Sequence, residues 1–374
     1  MAEAFAAGEG DSAAAKKTPG VDREFLGKLL SIESVTADIA KVNEAVEFVK
    51  GHLEARGVAC SVEADAKGRK ALYASTKPGK VQDYLMVVHL DVVPGEPGQF
   101  NPRFEGGKVV ARGAYDCKGN AAVAAKILED LNGCASLGVV FAGDEETGGR
   151  ATKMMVERGY AAKKLVLVFD SGSYGAYYAQ KGNFYVRARA KGKGGHSSTP
   201  WNCDNPIERL CEGCARVKAA WPEPTADRWC DVISPTMVSG GDARNRIPDE
   251  VDVWYNLRYI DEGAPDRLCR VLEEKGGFEV VEKYSTGGPM VTDRDAPEIG
   301  RFIEARRAKW PDRKPELGRL VAMTDARHYA NCGVPVLISG ALGDSPHAAD
   351  EWGDLANMDE NVEMLEKYFG GQQR

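Results

Sequence analysis

The sequence predicts an α/β protein in which a small α+β sandwich is inserted into a larger, discontinuous domain. The chain has 374 residues, about two and a half times a typical domain of ~150 residues, which predicts two domains. Short apolar runs alternate with helical patterns near both ends of the chain, as in an α/β sheet. After Ser171 the pattern changes to strands that alternate apolar and polar residues, which is typical of half-exposed strands.

The first part of the larger domain begins with two helices. Apolar residues recur at helical spacing from Val21 onward, and a second helix is predicted at 42–56, ending near Gly57. The elements predicted next are a strand at 85–90, a hairpin at 104–112 turning at Gly106-Gly107, a helix at 120–131, a strand at 137–142, a helix at 151–159 and a strand at 165–169.

A strand–helix–strand–strand–helix–strand series predicts the inserted sandwich, residues 182–287. Its elements are a half-exposed strand at 177–190, a helix at 205–220, strands at 232–238 and 251–259, a helix at 265–274 and a strand at 278–284. The α/β pattern resumes with a helix at 296–307, a strand at 334–339 and a helix at 359–368. Residues 21–181 and 288–374 are therefore predicted to form the larger domain, and residues 1–20 a mobile tail.

Composition excludes several classes of protein. The net charge of −7 argues against nonspecific nucleic-acid binding, which needs a basic face. No apolar run approaches the ~20 residues that span a bilayer, and the N-terminus lacks the pattern of a secretory signal. The nine cysteines form no spaced framework, so we expect reduced thiols and a cytoplasmic location without membrane partners. Cys211 and Cys214 form one C-x-x-C without a second pair, which indicates structural thiols rather than a zinc knuckle.

Chemistry-bearing residues follow several of the apolar strands. His89 and Asp91 lie at the end of the strand at 85–90, the carboxyl end where open α/β sheets bind ligands. The carboxylate can fix the histidine tautomer for metal binding, although a core histidine explains this motif alone more simply. Asp116 lies between Gly113 and Gly119 at a strand–helix junction. It is either a ligand or the N-cap of the next helix.

Three successive carboxylates, Asp144, Glu145 and Glu146, follow another apolar strand. Their mutual repulsion is costly unless a cation or proton lies among them, which favours a function over a solvated charge run. Asp170 ends a further strand, and His347 follows the strand at 334–339. Together these groups are a ligand set for two divalent metals that share a bridging carboxylate.

The motifs occur in a fixed order along the chain. They are H-x-D at 89–91, G-x-x-D-x-K-G at 113–119, D-E-E at 144–146, Asp170, G-G-H-S-S-x-P at 194–200 and His347. Over roughly residues 21–370 the chain resembles the co-catalytic zinc amidohydrolases, which include acetylornithine deacetylase, succinyl-diaminopimelate desuccinylase, aminoacylase and glutamate carboxypeptidase. The resemblance implies a zinc-peptidase-like catalytic domain with a mixed central sheet flanked by helices. It also implies a ferredoxin-like inserted domain that acts as a lid and pairs subunits into a homodimer.

The resemblance further implies a role for each residue of the set. His89 and Asp170 would bind one zinc, Glu146 and His347 the other, and Asp116 would bridge them. Zn²⁺ is the expected ion, with Co²⁺ or Mn²⁺ as substitutes.

Two residues beside these ligands also receive roles from the resemblance. Asp91 would orient His89. Glu145 would be the general base, which takes a proton from the attacking water and passes it to the leaving amine.

The inserted domain contributes three further candidates by resemblance. His196, which in isolation reads as a surface residue, would stabilise the oxyanion of the tetrahedral intermediate in its own or the partner subunit's site. Asn245 and Arg258 match positions that bind a substrate carboxylate, although an arginine on a strand can instead pair with a surface glutamate. His52 and His328 match no motif and are expected to be structural or solvent-facing.

Two departures from the family pattern bear on the substrate. Cys117 stands where deacylase-like relatives often have Met and dipeptidase-like ones Asp, and residues 322–325 (AMTD) replace a Gly-rich turn. We predict a di-zinc hydrolase that cleaves the amide bond of small N-acyl amino acids. A metallo-dipeptidase or carboxypeptidase is the second hypothesis. The third is a catalytically inactive binding protein, which the complete ligand set and Glu145 argue against.

Overall fold

The computed structural model describes residues 20–371, so the predicted N-terminal tail lies outside the described residues except for Gly20. None of the helices in this range has both the length and the apolar composition needed to cross a membrane. The α-helices are α1 (Arg23–Ser31), α2 (Ile39–Glu54), α3 (Lys118–Asp130), α4 (Arg150–Glu157), α5 (Pro206–Ala220), α6 (Ala264–Val271), α7 (Pro297–Lys309) and α8 (Leu355–Gly370).

The strands of the same range belong to several sheets. In chain order they are β1 (Ala59–Ala64), β2 (Lys70–Ser75), β3 (Val81–His89), β4 (Arg103–Glu105), β5 (Lys108–Val110), β6 (Leu137–Ala142), β7 (Ala161–Phe169), β8 (Ala176–Gln180), β9 (Gly182–Lys191), β10 (Gly195–His196), β11 (Val232–Ser239), β12 (Arg246–Ile247), β13 (Glu250–Tyr259), β14 (Glu279–Gly287), β15 (Met290–Val291), β16 (Leu317–Leu320), β17 (Val336–Ser339), β18 (Gly343–Asp344) and β19 (Trp352–Asp354).

The central sheet is mixed. Its order is β1-β2-β6-β3-β7-β17-β8-β15, and β16 pairs with β8. The four middle strands, β6, β3, β7 and β17, run parallel, whereas β1, β2 and β15 pair antiparallel with their neighbours. The carboxyl ends of the four parallel strands therefore meet at one edge of the sheet. This confirms the predicted mixed central sheet.

Helices cover both faces of this sheet. Met86 and Val88 of β3 join the core formed with α1, α2, α3, α7 and α8. Leu85 and Val87 point to the opposite face and join the core that contains α4. Both faces of the parallel strands are buried, so their sequences are continuously apolar rather than alternating.

Acidic and amide side chains define where several helices begin. The Asp22 side chain accepts hydrogen bonds from the backbone N–H groups of Glu24 and Phe25 at the start of α1. Asn205 caps α5 and Asp354 caps α8 in the same way. These caps satisfy N–H groups that have no partner within the helix.

A second, antiparallel sheet has the order β11-β13-β9-β14, and α5 and α6 pack against it. Its chain order, β9-α5-β11-β13-α6-β14, is the strand–helix–strand–strand–helix–strand series read from the sequence. The predicted single strand at 177–190 is wrong, because β8 belongs to the central sheet and β9 to the second one, with Lys181 between them. The domain boundaries and the role of this unit as a lid or dimerisation domain stay predictions.

A small sheet, β18-β19-β5-β4, joins distant parts of the chain. Strands β4 and β5 form the predicted hairpin. Strand β19 pairs with β5, so that Trp352 lies opposite Val110. This pairing brings the loop after β5, which contains Asp116, next to the segment that contains His347.

Candidate metal centre

The candidate site lies where the parallel strands end. Strand β3 ends at His89, β7 ends one residue before Asp170, and β6 is followed after Gly143 by the carboxylate triplet 144–146. Because β6, β3 and β7 are parallel neighbours, these side chains emerge together at the edge where α/β sheets bind ligands.

The five residues predicted as metal ligands lie together around Asp116. Its Oδ1 is 2.9 Å from Nε2 of His89, and its Oδ2 is 3.2 Å from Nε2 of His347. Asp170 Oδ1 lies 3.5 Å from His89 Nε2, and Glu146 Oε2 lies 3.2 Å from His347 Nε2. Each carboxylate oxygen of Asp116 thus faces a different group, which is the arrangement that a bridging ligand requires. The ligand roles themselves stay predictions.

The residues present fit divalent cations. Two sets of side chains offer ligand atoms within 4.8 Å of one another: His89, Cys117 and Asp170, and Asp116, Glu146 and His347. Glu146 Oε1 is buried without a hydrogen-bond partner, a costly state for a carboxylate oxygen unless a cation is present. Nitrogen, carboxylate oxygen and sulfur are the donors that zinc binds in proteins.

Burial of several acidic groups dominates the electrostatics of the site. Burial raises the pKa values of Asp170 and Glu146, and raises the pKa of Glu145 well above its ordinary range. Burial opposes ionisation of Asp116 too, but hydrogen bonds from His347 and His89 outweigh it and lower the pKa of Asp116. The same contacts with Asp116 and Glu146 raise the pKa of His347 to about 10. The cluster therefore requires positive charge among its carboxylates.

Asp91 supports the site from beneath and is fully buried. Its Oδ2 accepts a hydrogen bond from Thr36 Oγ1 at 2.7 Å. Its carboxylate also accepts the backbone N–H groups of Glu145 and Glu146 at 3.1 and 3.3 Å. Nδ1 of His89 lies 2.9 Å from the backbone carbonyl oxygen of Asp91 and 3.4 Å from its Oδ1. Asp91 thus contacts both the His89 ring and the turn that carries the two glutamates.

Glu351 holds the loop that carries Asp116, a role that no sequence motif indicated. This residue is 1% exposed. Its Oε1 accepts the backbone N–H groups of Tyr115 and Asp116 at 3.0 Å each, and its Oε2 accepts Arg112 Nη1 at 2.6 Å. Arg112 Nη2 also donates to the carbonyl oxygen of His347 at 3.0 Å. Glu351 follows His347 by four residues, and this proximity was the available signal in the sequence.

His347 lies on a strained loop at the outer side of the cluster. Its φ is +64° and that of Ser345 is +59°, a left-handed conformation that non-glycine residues seldom adopt. The His347 side chain is 52% exposed, whereas that of His89 is 2% exposed. The cluster therefore has one buried and one solvent-facing half.

Arg327 contacts Glu145, the predicted general base. No sequence motif indicated this role either. Its Nη1 donates to Glu145 Oε1 at 3.0 Å, and its Nη2 lies 3.2 Å from Asp325 Oδ1. Asp325 in turn accepts a hydrogen bond from Thr152 of α4. Residues 322–325 depart from the family pattern, and the arginine two residues after Asp325 was the available signal in the sequence.

The two histidines outside the motifs lie in different places. His328 is next to Arg327, and its Nε2 lies 3.2 Å from the carbonyl oxygen of Gly148. His52 of α2 stacks on Phe25 and lies 2.7 Å from Glu129. Only His328 therefore neighbours the candidate site.

The inserted-domain candidates are not joined to the cluster. Strand β10, which contains His196, pairs with β12 directly after Asn245, and Ser198 Oγ lies 2.7 Å from His196 Nδ1. His196 and Asn245 are exposed, and Arg258 of β13 is half-buried. Within residues 20–371, no hydrogen bond or ion pair connects these three side chains to the five predicted ligands.

Comparisons with known proteins give both a family and a fold. A family model described as Peptidase family M20/M25/M40 matches residues 85–370, more than half of the chain. Succinyl-diaminopimelate desuccinylase of Wolinella succinogenes is 25% identical over 350 residues, covering 88% of this chain and 93% of the relative.

Solved structures share the fold over nearly the whole chain. A tripeptidase from Staphylococcus aureus has a TM-score of 0.78 at 16% identity, covering 94% of this chain and 98% of the other. An M20 family metallo-carboxypeptidase from Sulfolobus solfataricus has a TM-score of 0.75 at 16% identity, covering 93% and 99%. At these identities the likeness concerns the fold alone.

Proposed function

The chain belongs to the M20/M25/M40 peptidase family, and we propose that it is a di-zinc deacylase that hydrolyses the amide bond of small N-acyl amino acids. A metal-dependent hydrolase of amide bonds is what membership of this family entails. The observation that carries the proposal is the position of Asp116, whose two oxygens face His89 and His347 separately, beside the buried Glu145.

In this proposal the metal positions follow the two halves of the cluster. His89 and Asp170 would hold the buried cation, Glu146 and His347 would hold the outer one, and Asp116 would be shared by both. When bound, the two cations polarise the scissile carbonyl and acidify the attacking water. Zinc is the proposed ion, because it accepts imidazole nitrogen and carboxylate oxygen in sites that keep an open position.

Glu145 moves the proton. Its carboxylate lies next to the ligand Glu146 but is held by Arg327 instead of a histidine. Burial raises its pKa, which makes it a stronger proton acceptor than an exposed glutamate. It therefore takes the proton of the attacking water and delivers it to the leaving amine.

The inserted domain completes the substrate site in this proposal. His196 donates a hydrogen bond to the developing oxyanion. Because His196 is exposed within one chain, it serves the cluster of a partner subunit or approaches when the domain closes. The Arg258 side chain makes no hydrogen bond or ion pair among residues 20–371, and with Asn245 it binds the substrate carboxylate.

A homodimer and a cytoplasmic location belong to the same proposal. Strand β11 is an edge of the second sheet. Its residues Met237 and Val238 are 57% and 62% exposed. An apolar, unpaired edge favours association with a second copy of the chain. The nine cysteines of the described range are free thiols, which favours a reducing compartment.

The substrate class rests on the curated relative, which is named a desuccinylase. A dipeptidase or carboxypeptidase is the second candidate, because structural neighbours are described as a tripeptidase and a metallo-carboxypeptidase. Hydrolysis rates of the zinc-loaded protein should be compared on N-acetyl amino acids, N-succinyl amino acids and dipeptides, with a chelator control. We expect chelator-sensitive release of amine from an N-acyl amino acid. Faster turnover of dipeptides would favour the peptidase, and no turnover of any amide would contradict the enzyme assignment.

A further inference from the structure

A cysteine lies in the buried half of the metal cluster. Cys117 directly follows Asp116 and is fully buried. Its Sγ, a ring nitrogen of His89 and a carboxylate oxygen of Asp170 all lie within 4.8 Å of one another. The thiol donates a hydrogen bond to the carbonyl oxygen of Phe169 at 3.4 Å, one residue before Asp170. The sulfur is therefore fixed beside two proposed ligands.

Cys117 differs in this respect from the other cysteines. Of the nine cysteines in residues 20–371, only Cys117 belongs to a group of potential metal ligands. Cys269, which is also buried, packs in the apolar core of the second sheet. Cys117 also packs in an apolar core, that of the central sheet. What distinguishes it from Cys269 is its additional polar neighbours, His89 and Asp170.

The two halves of the cluster offer different donors. The buried half offers nitrogen, sulfur and oxygen, whereas the outer half offers one nitrogen and carboxylate oxygens. Thiolate ligands favour zinc and other thiophilic cations, while carboxylates also suit Mn²⁺ and similar hard cations. The sulfur therefore makes the buried half the more selective one.

We propose that Cys117 is a sulfur ligand of the buried metal position, with His89, Asp170 and Asp116, and that it gives this position a preference for thiophilic divalent cations. This inference rests on the proposed di-metal function. On binding, the S–H bond breaks, the proton passes to solvent and the sulfur donates its electron pair to the cation. The hydrogen bond to Phe169 is lost, and no oxidant or reductant takes part.

Cobalt spectroscopy of the full chain tests this inference. Co²⁺ is titrated into the metal-free protein, and absorbance is followed in the near ultraviolet and the visible range. We expect a sulfur-to-cobalt charge-transfer band that saturates with one Co²⁺ per chain. Cys117→Ser should lose this band but keep visible cobalt bands, and Cys269→Ser, the matched buried control, should keep both.

A second measurement needs no variant. The cadmium NMR spectrum of the wild-type protein loaded with two Cd²⁺ should contain one resonance at the strongly deshielded position of a sulfur-ligated ion and one at a position typical of nitrogen and oxygen ligands. In a competition experiment, Cys117→Ser should lower the preference for Zn²⁺ over Mn²⁺ at one of the two positions.

The outcomes separate the two proposals. Two bound Co²⁺ without a charge-transfer band, together with two Cd²⁺ resonances free of sulfur character, would overturn the role of Cys117 and leave the di-metal site intact. Failure of the wild-type chain to bind any Co²⁺ or Cd²⁺ would contradict the metal centre as a whole.

Discussion

Arg327 Nη1 donates to Glu145 Oε1 across 3.0 Å, and the Arg327 side chain is only 2% exposed. The same guanidinium contacts Asp325. A buried, charge-assisted hydrogen bond of this kind holds a carboxylate in one orientation. The proposed base is therefore positioned by a residue from a distant part of the chain.

Arg327→Gln should lower kcat by about 10–100-fold with little change in KM and with the metal content retained. The physical reason is loss of the contact that orients Glu145. Arg327→Lys, which keeps the charge, should recover part of the rate. Steady-state kinetics and metal analysis check this, and a rise in KM at unchanged kcat would indicate that Arg327 binds substrate instead.

Glu145→Gln should reduce kcat by ~10²–10⁴-fold, because the amide cannot accept the proton of the attacking water. Metal analysis should still find two ions per chain. The neighbouring change Glu146→Gln is the control, since it removes a proposed ligand and should lower metal content. An active Glu145→Gln enzyme would refute the assigned base.

His196→Ala should lower kcat by about 10²–10³-fold while leaving metal binding unchanged, as expected for loss of an oxyanion donor. Mixing this variant with Glu145→Gln tests whether the donor crosses subunits. Heterodimers with cross-subunit donation contain one complete site and should regain activity. Failure of the mixture to regain activity would restrict His196 to its own subunit.

Glu351→Ala should weaken both the fold and the metal site. It leaves Arg112 buried without its carboxylate partner, which costs about 3–5 kcal/mol of the free energy of unfolding. It also frees the backbone at Asp116, so zinc affinity should fall. Denaturant unfolding and zinc titration measure the two effects, and unchanged zinc affinity would show that Glu351 does not position Asp116.

The contact between Asp252 and Arg189 should stabilise the fold less as the pH falls. Its carboxylate accepts hydrogen bonds from Arg189 Nε and Nη2 at 2.7 and 3.0 Å, and this contact lowers the pKa of Asp252. A lowered folded-state pKa stabilises the protein above the unfolded pKa of about 3.9 and loses that effect as the pH falls through the folded value. Between pH 5 and pH 3, the free energy of unfolding measured in urea should therefore fall less for Asp252→Asn than for the wild-type protein. Equal losses would contradict the assignment.

The sequence predicted the parallel core well because its signal is strong. Strands buried on both faces are continuously apolar, and β3, β6 and β7 each lead into a polar residue at the same edge. Strand β1 gave no such signal, because it is a half-exposed edge strand of mixed composition. The break between β8 and β9 was missed because Lys181 alone separates the two strands, so no loop marks the passage from one sheet to the other.

The supporting residues of the site could not be predicted for a related reason. Glu351 and Arg327 act through contacts with backbone or side chains more than 180 residues away along the chain. Local sequence patterns do not reveal contacts between residues so far apart. The motif residues were recognisable because their spacing is local, whereas their partners depend on how the sheets come together.

The arrangement of β17 beside β7 has a consequence for the order in which the protein matures. His347 follows β17, and the whole second sheet is encoded between β7 and β17. On the ribosome, the segments bearing His89, Asp116, Glu146 and Asp170 are therefore made long before His347. The last segment of the chain supplies both His347 and Glu351, and Glu351 holds the loop of Asp116. The proposed metal cluster is therefore assembled only after this segment has been made.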